Sequence, residues 1–528
     1  MRRFLTLLSV VLTIVSARGE DNIAVLPGEQ YLLRNVATGS YLQKDGTTTD
    51  MEDEASNWRV VTNDTIRTTD TEKLYHVISD NMVMQLTNGG ITGWSATFSS
   101  KGNTTYVMPS ETTPGAFKFR YRYLASTRYL NVEVSANGSE KLTAAKTSST
   151  YNDWEFVPSS HPHDYSYRLM TMNRSSNNTK YTIAYRSHDV TGEEVWLSGW
   201  LAVPTSSEGG TSNADHILFS THYTMCKNSE VPSQSDPYDS FTFNLSTNRP
   251  VMIEPDYLGY GITSDREHPY CAPDIMAEES IDMLLACHDL LRDLHGMDCS
   301  TGAYPTYGIG YSQGGAIILA CQRYVENSPK VSDAERTAIR WIRTCAGAGP
   351  YNSLATISQY LYQNTLSMPV AAPLLVMGMV TAYPEIFGDV PAERYFSDAF
   401  NAAGIVDMVR STNYTIDELN SAISSACGSD MQSMLSEEAK DFNSDIMQLL
   451  LKALGRSDLT RDWNPQAEIW FFHNTDDDVV PYLNTISAYN GLKDRCIGGC
   501  SMYTTGVGMS HTAAAINFMA RMILGNYK

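Results

Sequence analysis

The first third of this 528-residue chain repeats one pattern three times. "EQYLLRNVATGSYLQ" begins at Glu29, "EKLYHVISDNMVMQL" at Glu72 and "AFKFRYRYLASTRYLNV" at Ala116, about 43 residues apart. Each reads as strand, turn, strand. "NWRVV" from Asn57 closes the first unit and "DWEFV" from Asp153 the third, while "TTYVMP" from Thr104 closes the second more weakly. A period near 40 residues means one supersecondary element per repeat, each needing its neighbours to bury an apolar face. Three such β units predict pseudo-threefold closure over residues 24–158, an all-β domain. Trp58 and Trp154 fall at matching places and are expected in its core rather than on a ligand platform.

The rest of the chain is different. "SSHPHDYS" (159–166) reads as a linker, with His161 and His163 in solvent. From residue 167 to 528 strands and helices alternate, which predicts an α/β sheet. "KYTIAYRSHDVTGEEVWLSGWLAVP" reads as a hairpin around Thr191-Gly192. "HILFST" and "PVMIEPD" read as short apolar strands, and residues 281–294 carry helical apolar spacing. Residues 351–463 exceed a plain strand–helix unit and read as a helical insertion. Its apolar stretch "MPVAAPLLVMGMV" fits either an acyl-pocket wall or a buried helix.

Composition narrows the class. The net charge of −21 comes without a basic patch, which excludes a nucleic-acid binder. Arg2 and Arg3 followed by an apolar run to Val15 and small residues to Ala17 predict a cleaved export signal over residues 1–17. That run is too short to span a bilayer, so no stable membrane anchor is expected and the mature protein is read as secreted or periplasmic. All nine cysteines lie at Cys226 or later. Export permits disulfides, but an odd count leaves at least one thiol unpaired within a chain. Cys496 with Cys500, and Cys226 with Cys271, are the pairings suggested by position. There is no CxxC pair and no HExxH, so no metal and no cofactor is expected.

"GIGYSQGGAIILA" from Gly308 carries the chemistry. Gly310-Tyr311-Ser312-Gln313-Gly314 fits G-x-S-x-G, placed after a strand (306–310) and before a helix. Gly308 and Gly310 also begin a G-x-G, but the third glycine of a phosphate loop is misplaced and no Walker lysine follows. A serine hydroxyl becomes a nucleophile only with a base, a group to orient that base, and donors for the oxyanion. Of the eleven histidines, His511, in "GMSHTAAAINFMARMIL", is the one that follows the aspartate-rich loop "FFHNTDDDVVP".

These segments together resemble the α/β-hydrolase superfamily, where the order is Ser, then Asp or Glu, then His. "FFHNTDDDVVP" resembles the family's H-G-x-x-D-x-x-V-P pattern, with Asn474 in place of its glycine. Counting back from Val480-Pro481 selects Asp477, with Asp476 and Asp478 as rivals. "PDYLGYGITSDREHPY" (255–270) resembles the PDYxGYG…HPY segment of secretory lipases and esterases. That resemblance implies Asp256 as a loop anchor and Tyr257, Tyr260 and His268 to Tyr270 as pocket walls. "FSTHYTMC" stands where lipases carry H-G-G, so it implies oxyanion donors at the amides of Gln313 and Tyr223, with His222 either near the substrate or a structural residue of the loop. The threefold β pattern resembles a ricin-type β-trefoil, a module often sugar-binding, although its Q-x-W signature is not clear here.

The fold class expected is an α/β-hydrolase with a helical cap at 351–463, preceded by a β-trefoil-like domain. The expected function is hydrolysis of a small-molecule or carbohydrate-linked carboxylic ester through Ser312, Asp477 and His511, with a glycan as candidate ligand of the trefoil. The alternatives are a serine peptidase of the prolyl-oligopeptidase type and a non-catalytic carbohydrate-binding protein.

Overall fold

The computed structural model describes residues 24–528 apart from 89–93, 100–101, 103, 124–125, 176, 206–211, 213, 236–248, 364, 506–507, 523 and 525–526. The proposed export signal lies outside the described residues. The chain divides into two compact units. Unit 1 is residues 1–176 with 206–211 and 293–296, and unit 2 is the remainder.

In unit 1, six strand segments pair into a closed ring. Tyr31 bridges Trp58, Arg59 pairs with Ile78, and Tyr75 with Thr105. Val107 then pairs with Phe119, Phe117 with Trp154, and residues 154–158 return to 31–35. Three hairpins complete it, Tyr41–Leu42 with Thr48–Thr49, Met82–Asn88 with Trp94–Ser99, and Ser126–Val134 with Glu140–Ala145. Trp58 and Trp154 are fully buried, and each indole N–H donates to a hairpin carbonyl, Leu42 at 3.1 Å and Leu130 at 3.2 Å. A buried tryptophan needs an acceptor for its N–H, and both find one. The stretch expected to be a free linker is instead held against this unit. His161 Nε2 lies 3.0 Å from the Ala55 carbonyl, and the His163 amide donates to Gln30.

Unit 2 is a mixed α/β structure. Its strands are β1 (Asn178–His188), β2 (Glu194–Pro204), β3 (Ile217–Thr221), β4 (Val251–Pro255), β5 (Thr306–Tyr311), β6 (Trp341–Gly347), β7 (Glu468–Asn474) and β8 (Cys500–Thr505). They lie in the order β1-β2-β4-β3-β5-β6-β7-β8. β1, β2 and β4 pair antiparallel, and from β4 through β8 every pairing is parallel. The central strands are almost continuously buried, as a sheet covered on both faces requires. Helix α1 (Pro273–His295) joins β4 to β5, and α2 (Gln313–Asn327) follows β5. α1 starts eight residues before the apolar periodicity at Ile281, because Pro273 at its first position is preset for a helix.

The order reverses between β3 and β5. The chain leaves β3 towards β4, then returns to the other side of β3 to build β5. Connections depart to either side there, opening a crevice at the carboxyl ends of the two strands. Tyr223 and Ser312 both lie in that crevice's walls.

Between β6 and β7 the chain is helical, from Ser353–Tyr360 to Asp445–Arg456, around an apolar core of its own. Thr415 and Glu418 form the capping box that starts Ile416–Ala426. The apolar stretch becomes the buried helix α3 (Ala371–Ala382). Among the described residues no helix is long and apolar enough to cross a membrane. The two disulfide expectations are corrected: all nine cysteines are free thiols, six of them buried. Cys226 and Cys271 instead pack into the apolar core of the insertion.

Candidate active site

Ser312 sits between β5 and α2 with φ +58° and ψ −125°, a region of backbone space that L side chains rarely occupy. Two glycines make room for the turn. A Cβ on Gly310 would lie 2.2 Å from the Gly314 carbonyl, and one on Gly314 would lie 2.0 Å from the Thr221 carbonyl. Glycine at these two places lets the elbow press against the end of β3. The Ser312 amide is fixed by the Gly347 carbonyl at 2.8 Å. Its hydroxyl stands at the start of α2, whose first-turn N–H groups have no intrahelical acceptor and favour negative charge.

The three adjacent aspartates have three different jobs. Asp477 Oδ2 lies 2.6 Å from His511 Nδ1, and its Oδ1 accepts the amides of Val479 and Val480 at 2.9 and 2.8 Å. Asp478 accepts the His511 amide at 2.8 Å, and Asp476 the Gly508 amide at 2.7 Å. Asn474 donates its side-chain amide to the Met509 carbonyl. A glycine there would have no such group, so the departure from the family pattern adds a clamp. The Tyr311 hydroxyl donates to the His511 carbonyl at 2.8 Å, tying the histidine loop to β5. Burial alone pushes the Asp477 carboxyl up, but hydrogen bonds from His473 and His511 outweigh it and hold the group well below the usual carboxylate range. It is therefore a fixed negative charge under an imidazole.

Ser312 and His511 line one cavity of about 1040 Å³, together with Tyr223. Tyr223 is half exposed there, while Gln313 is buried as the first residue of α2. The expectation that His222, Tyr257 and Tyr260 line the substrate pocket is corrected. They are 0 %, 0 % and 3 % exposed and pack behind the loop. His222 Nδ1 meets the Tyr223 carbonyl at 2.6 Å and its ring packs on Tyr257. Burial pushes the His222 ring down to about 4, so it is a neutral prop at neutral pH. The Tyr260 hydroxyl donates to the Met225 carbonyl at 2.5 Å. Asp256 takes a hydrogen bond from Ser198 at 2.5 Å and from the Ser233 amide at 2.8 Å, which makes it a loop anchor.

One contributor escaped the sequence reading. His473 Nε2 lies 3.3 Å from Asp477 Oδ2, the same oxygen that meets His511. It occupies the H of H-G-x-x-D, four residues before the acid, and that spacing was the available signal. His268, expected as pocket wall, supports the elbow instead: its Nε2 accepts from Gln313 Nε2 at 2.8 Å while its Nδ1 donates to the Leu258 carbonyl at 2.8 Å. Both bonds are satisfied by the neutral Nδ1–H tautomer, and burial pushes this ring down to about 3. The Leu258 amide in turn donates to Glu279 at 3.2 Å. A line of hydrogen bonds thus runs from α1 to the residue after the nucleophile. His268→Ala is expected to lower kcat by roughly 10- to 100-fold with little change in KM. That is less than the loss of a whole oxyanion donor, and steady-state kinetics on the folded variant checks it.

Glu279 carries a pH signature. Burial pushes its carboxyl up to about 8, against the Leu258 amide, which lowers it. Between the ordinary carboxylate range and pH 8 the unfolded chain has lost this proton and the folded one has kept it. Stability therefore falls as pH rises through that window, by up to about 1.4 kcal/mol per unit, and levels above it. Glu279→Gln is expected to flatten that slope in denaturant unfolding measured from pH 5 to 9.

Ligand atoms of His188, Glu278 and Asp282 lie within 4.8 Å of one another, but Lys330 already rests on both oxygens of Glu278 at 2.6 and 2.7 Å. That ammonium supplies the charge a cation would bring.

No protein-family model and no curated protein matches the chain. Solved structures do. A candidate hydrolase from Legionella pneumophila subsp. pneumophila aligns over 68% of this chain and 90% of its own, with 19% identity and a TM-score of 0.55. The rice cell wall degrading esterase LipA from Xanthomonas oryzae aligns over 68% of this chain and 94% of its own, with 19% identity and a TM-score of 0.54. A ligand-bound form of LipA gives 20% identity and the same score, over 69% and 92%. At these identities the likeness shows a shared fold.

Proposed function

We propose that this chain is an exported serine hydrolase of carboxylic esters. In this reading unit 2 is an α/β-hydrolase with the insertion at 351–463 as its cap, and unit 1 is a β-trefoil. The closed six-stranded ring with three hairpins supports the trefoil assignment. The observation that carries the catalytic reading is the Asp477–His511 hydrogen bond, in the same cavity wall as a serine on a strained strand-to-helix turn.

The chemistry follows from that geometry. With Nδ1 of His511 committed to Asp477, Nε2 is left to take the Ser312 proton. The freed oxygen attacks the acyl carbon, and the carbonyl electrons move to the oxygen. The amides of Gln313 and Tyr223 hold that oxyanion, and α2 adds the field of its amino-terminal end. His511 then protonates the leaving alcohol as the carbon–oxygen bond breaks. Water, deprotonated by the same ring, releases the acid from Ser312. Asp477 stays charged throughout and stabilises the imidazolium.

LipA, described as an esterase, supports ester over amide. The peptidase reading keeps one observation in its favour, the carboxylates of Glu230 and Asp417 on the cavity wall, which would face a substrate amine. A paired assay decides: p-nitrophenyl acetate against Gly-Pro-p-nitroanilide, with Ser312→Ala as control. Ester cleavage that the control abolishes, with the anilide untouched, is the expected result. Efficient anilide cleavage would overturn it.

A further inference from the structure

Two cavities meet at Ser312, and they are unequal. The large one holds His511, and its wall continues along the histidine helix through Ala515, Ile516 and Met519. The other is lined by Ser312 but not by His511. Its walls are the apolar groups of Tyr360, Met368, Ala371, Leu375, Val479 and Val480, and its free space is about 20 Å³. That is little more than one water-sized sphere.

A serine hydrolase must place the two halves of its ester differently. The leaving oxygen needs the proton of His511, so the alcohol lies on the histidine's side. The acyl chain points away from that ring. The geometry points to the small cavity as the acyl slot and to the large one as the alcohol site, an assignment that rests on the ester reading above. The substrate class is then a short acyl group, acetyl-sized, on a bulky alcohol. Met368 and Ser312 line both spaces, so Met368 stands at the partition. Leu375, 2 % exposed on α3, closes the slot from the insertion side. A longer acyl chain would have to displace side chains packed at interior density, which is unfavourable even for single methylenes.

The test uses two isomeric esters, octyl acetate and ethyl octanoate, which have the same atoms with the long and short halves exchanged. Acid release by the full-length protein is followed in a pH-stat, with 4-methylumbelliferyl acetate scored in the same preparation. The expected result is faster turnover of octyl acetate, on the order of 100-fold in kcat/KM, with Leu375→Ala narrowing the ratio by raising ethyl octanoate turnover. If 4-methylumbelliferyl acetate is cleaved but the isomers are turned over equally, or in the reverse order, the slot assignment falls and the ester reading stands. If no ester is cleaved in a Ser312-dependent way, the ester reading itself falls.

Discussion

Ser312→Ala is expected to lower kcat on the favoured ester by roughly 10⁴- to 10⁶-fold while leaving folding intact. The residual rate would come from the oxyanion donors and substrate positioning, which the variant keeps. Stability gives a second readout. Ser312 holds φ +58°, and alanine has the same Cβ conflict, so its denaturant midpoint should stay within error of the parent. Glycine has none. Ser312→Gly should be equally inactive yet more stable by about 1 kcal/mol, after its greater unfolded-state freedom is set against the relieved strain. An inactive, stabilised glycine variant would show that the turn is kept strained for chemistry. A glycine variant less stable than the alanine one would sink that account.

The second large effect separates three neighbours. Asp477→Asn leaves a group of equal size beside His511 Nδ1 but removes the charge and lets the amide favour the wrong tautomer. A loss of about 10³- to 10⁴-fold in kcat is expected. The side chains of Asp478 and Asp476 accept from backbone amides, those of His511 and Gly508. Their asparagine variants can still accept those bonds, so losses of about tenfold or less are expected. Steady-state kinetics of the three single variants, run side by side, checks the ranking. A loss at Asp476 or Asp478 equal to that at Asp477 would mean the acid had been assigned to the wrong carboxylate.

Chain order singled out Ser312 and His511 as the expected nucleophile and base, and the structure brings the two to one cavity. The elbow glycines were legible from the G-x-S-x-G spacing. The choice among Asp476, Asp477 and Asp478 rested on a pattern, since adjacent residues differ in direction rather than in chemistry. The strand order β4-β3-β5 sets the crevice, and nothing local in β3 or β5 announces it. His222, Tyr257 and Tyr260 were placed at the substrate because their motif borders the site. A motif near a site supplies its supports as often as its walls, and aromatic rings with a polar atom can stack and donate inward. The His268–Gln313 contact joins residues 45 apart in sequence, and no spacing rule reaches across that gap. The cysteine pairings rested on position along the chain alone, which does not fix the Cβ geometry a disulfide needs.

The insertion between β6 and β7 has a kinetic consequence. It separates the strand beside the nucleophile from the strand that leads to Asp477, and it carries its own apolar core. A growing chain can thus form the elbow and the helical insertion well before β7 and β8 exist. His511 emerges 199 residues after Ser312. Until β7 adds the acid and the loop after β8 is clasped by Asp476, Asp477 and Asp478, the serine has no base. On the proposed mechanism the nascent protein is therefore chemically silent, and hydrolysis would begin only when the sheet is complete.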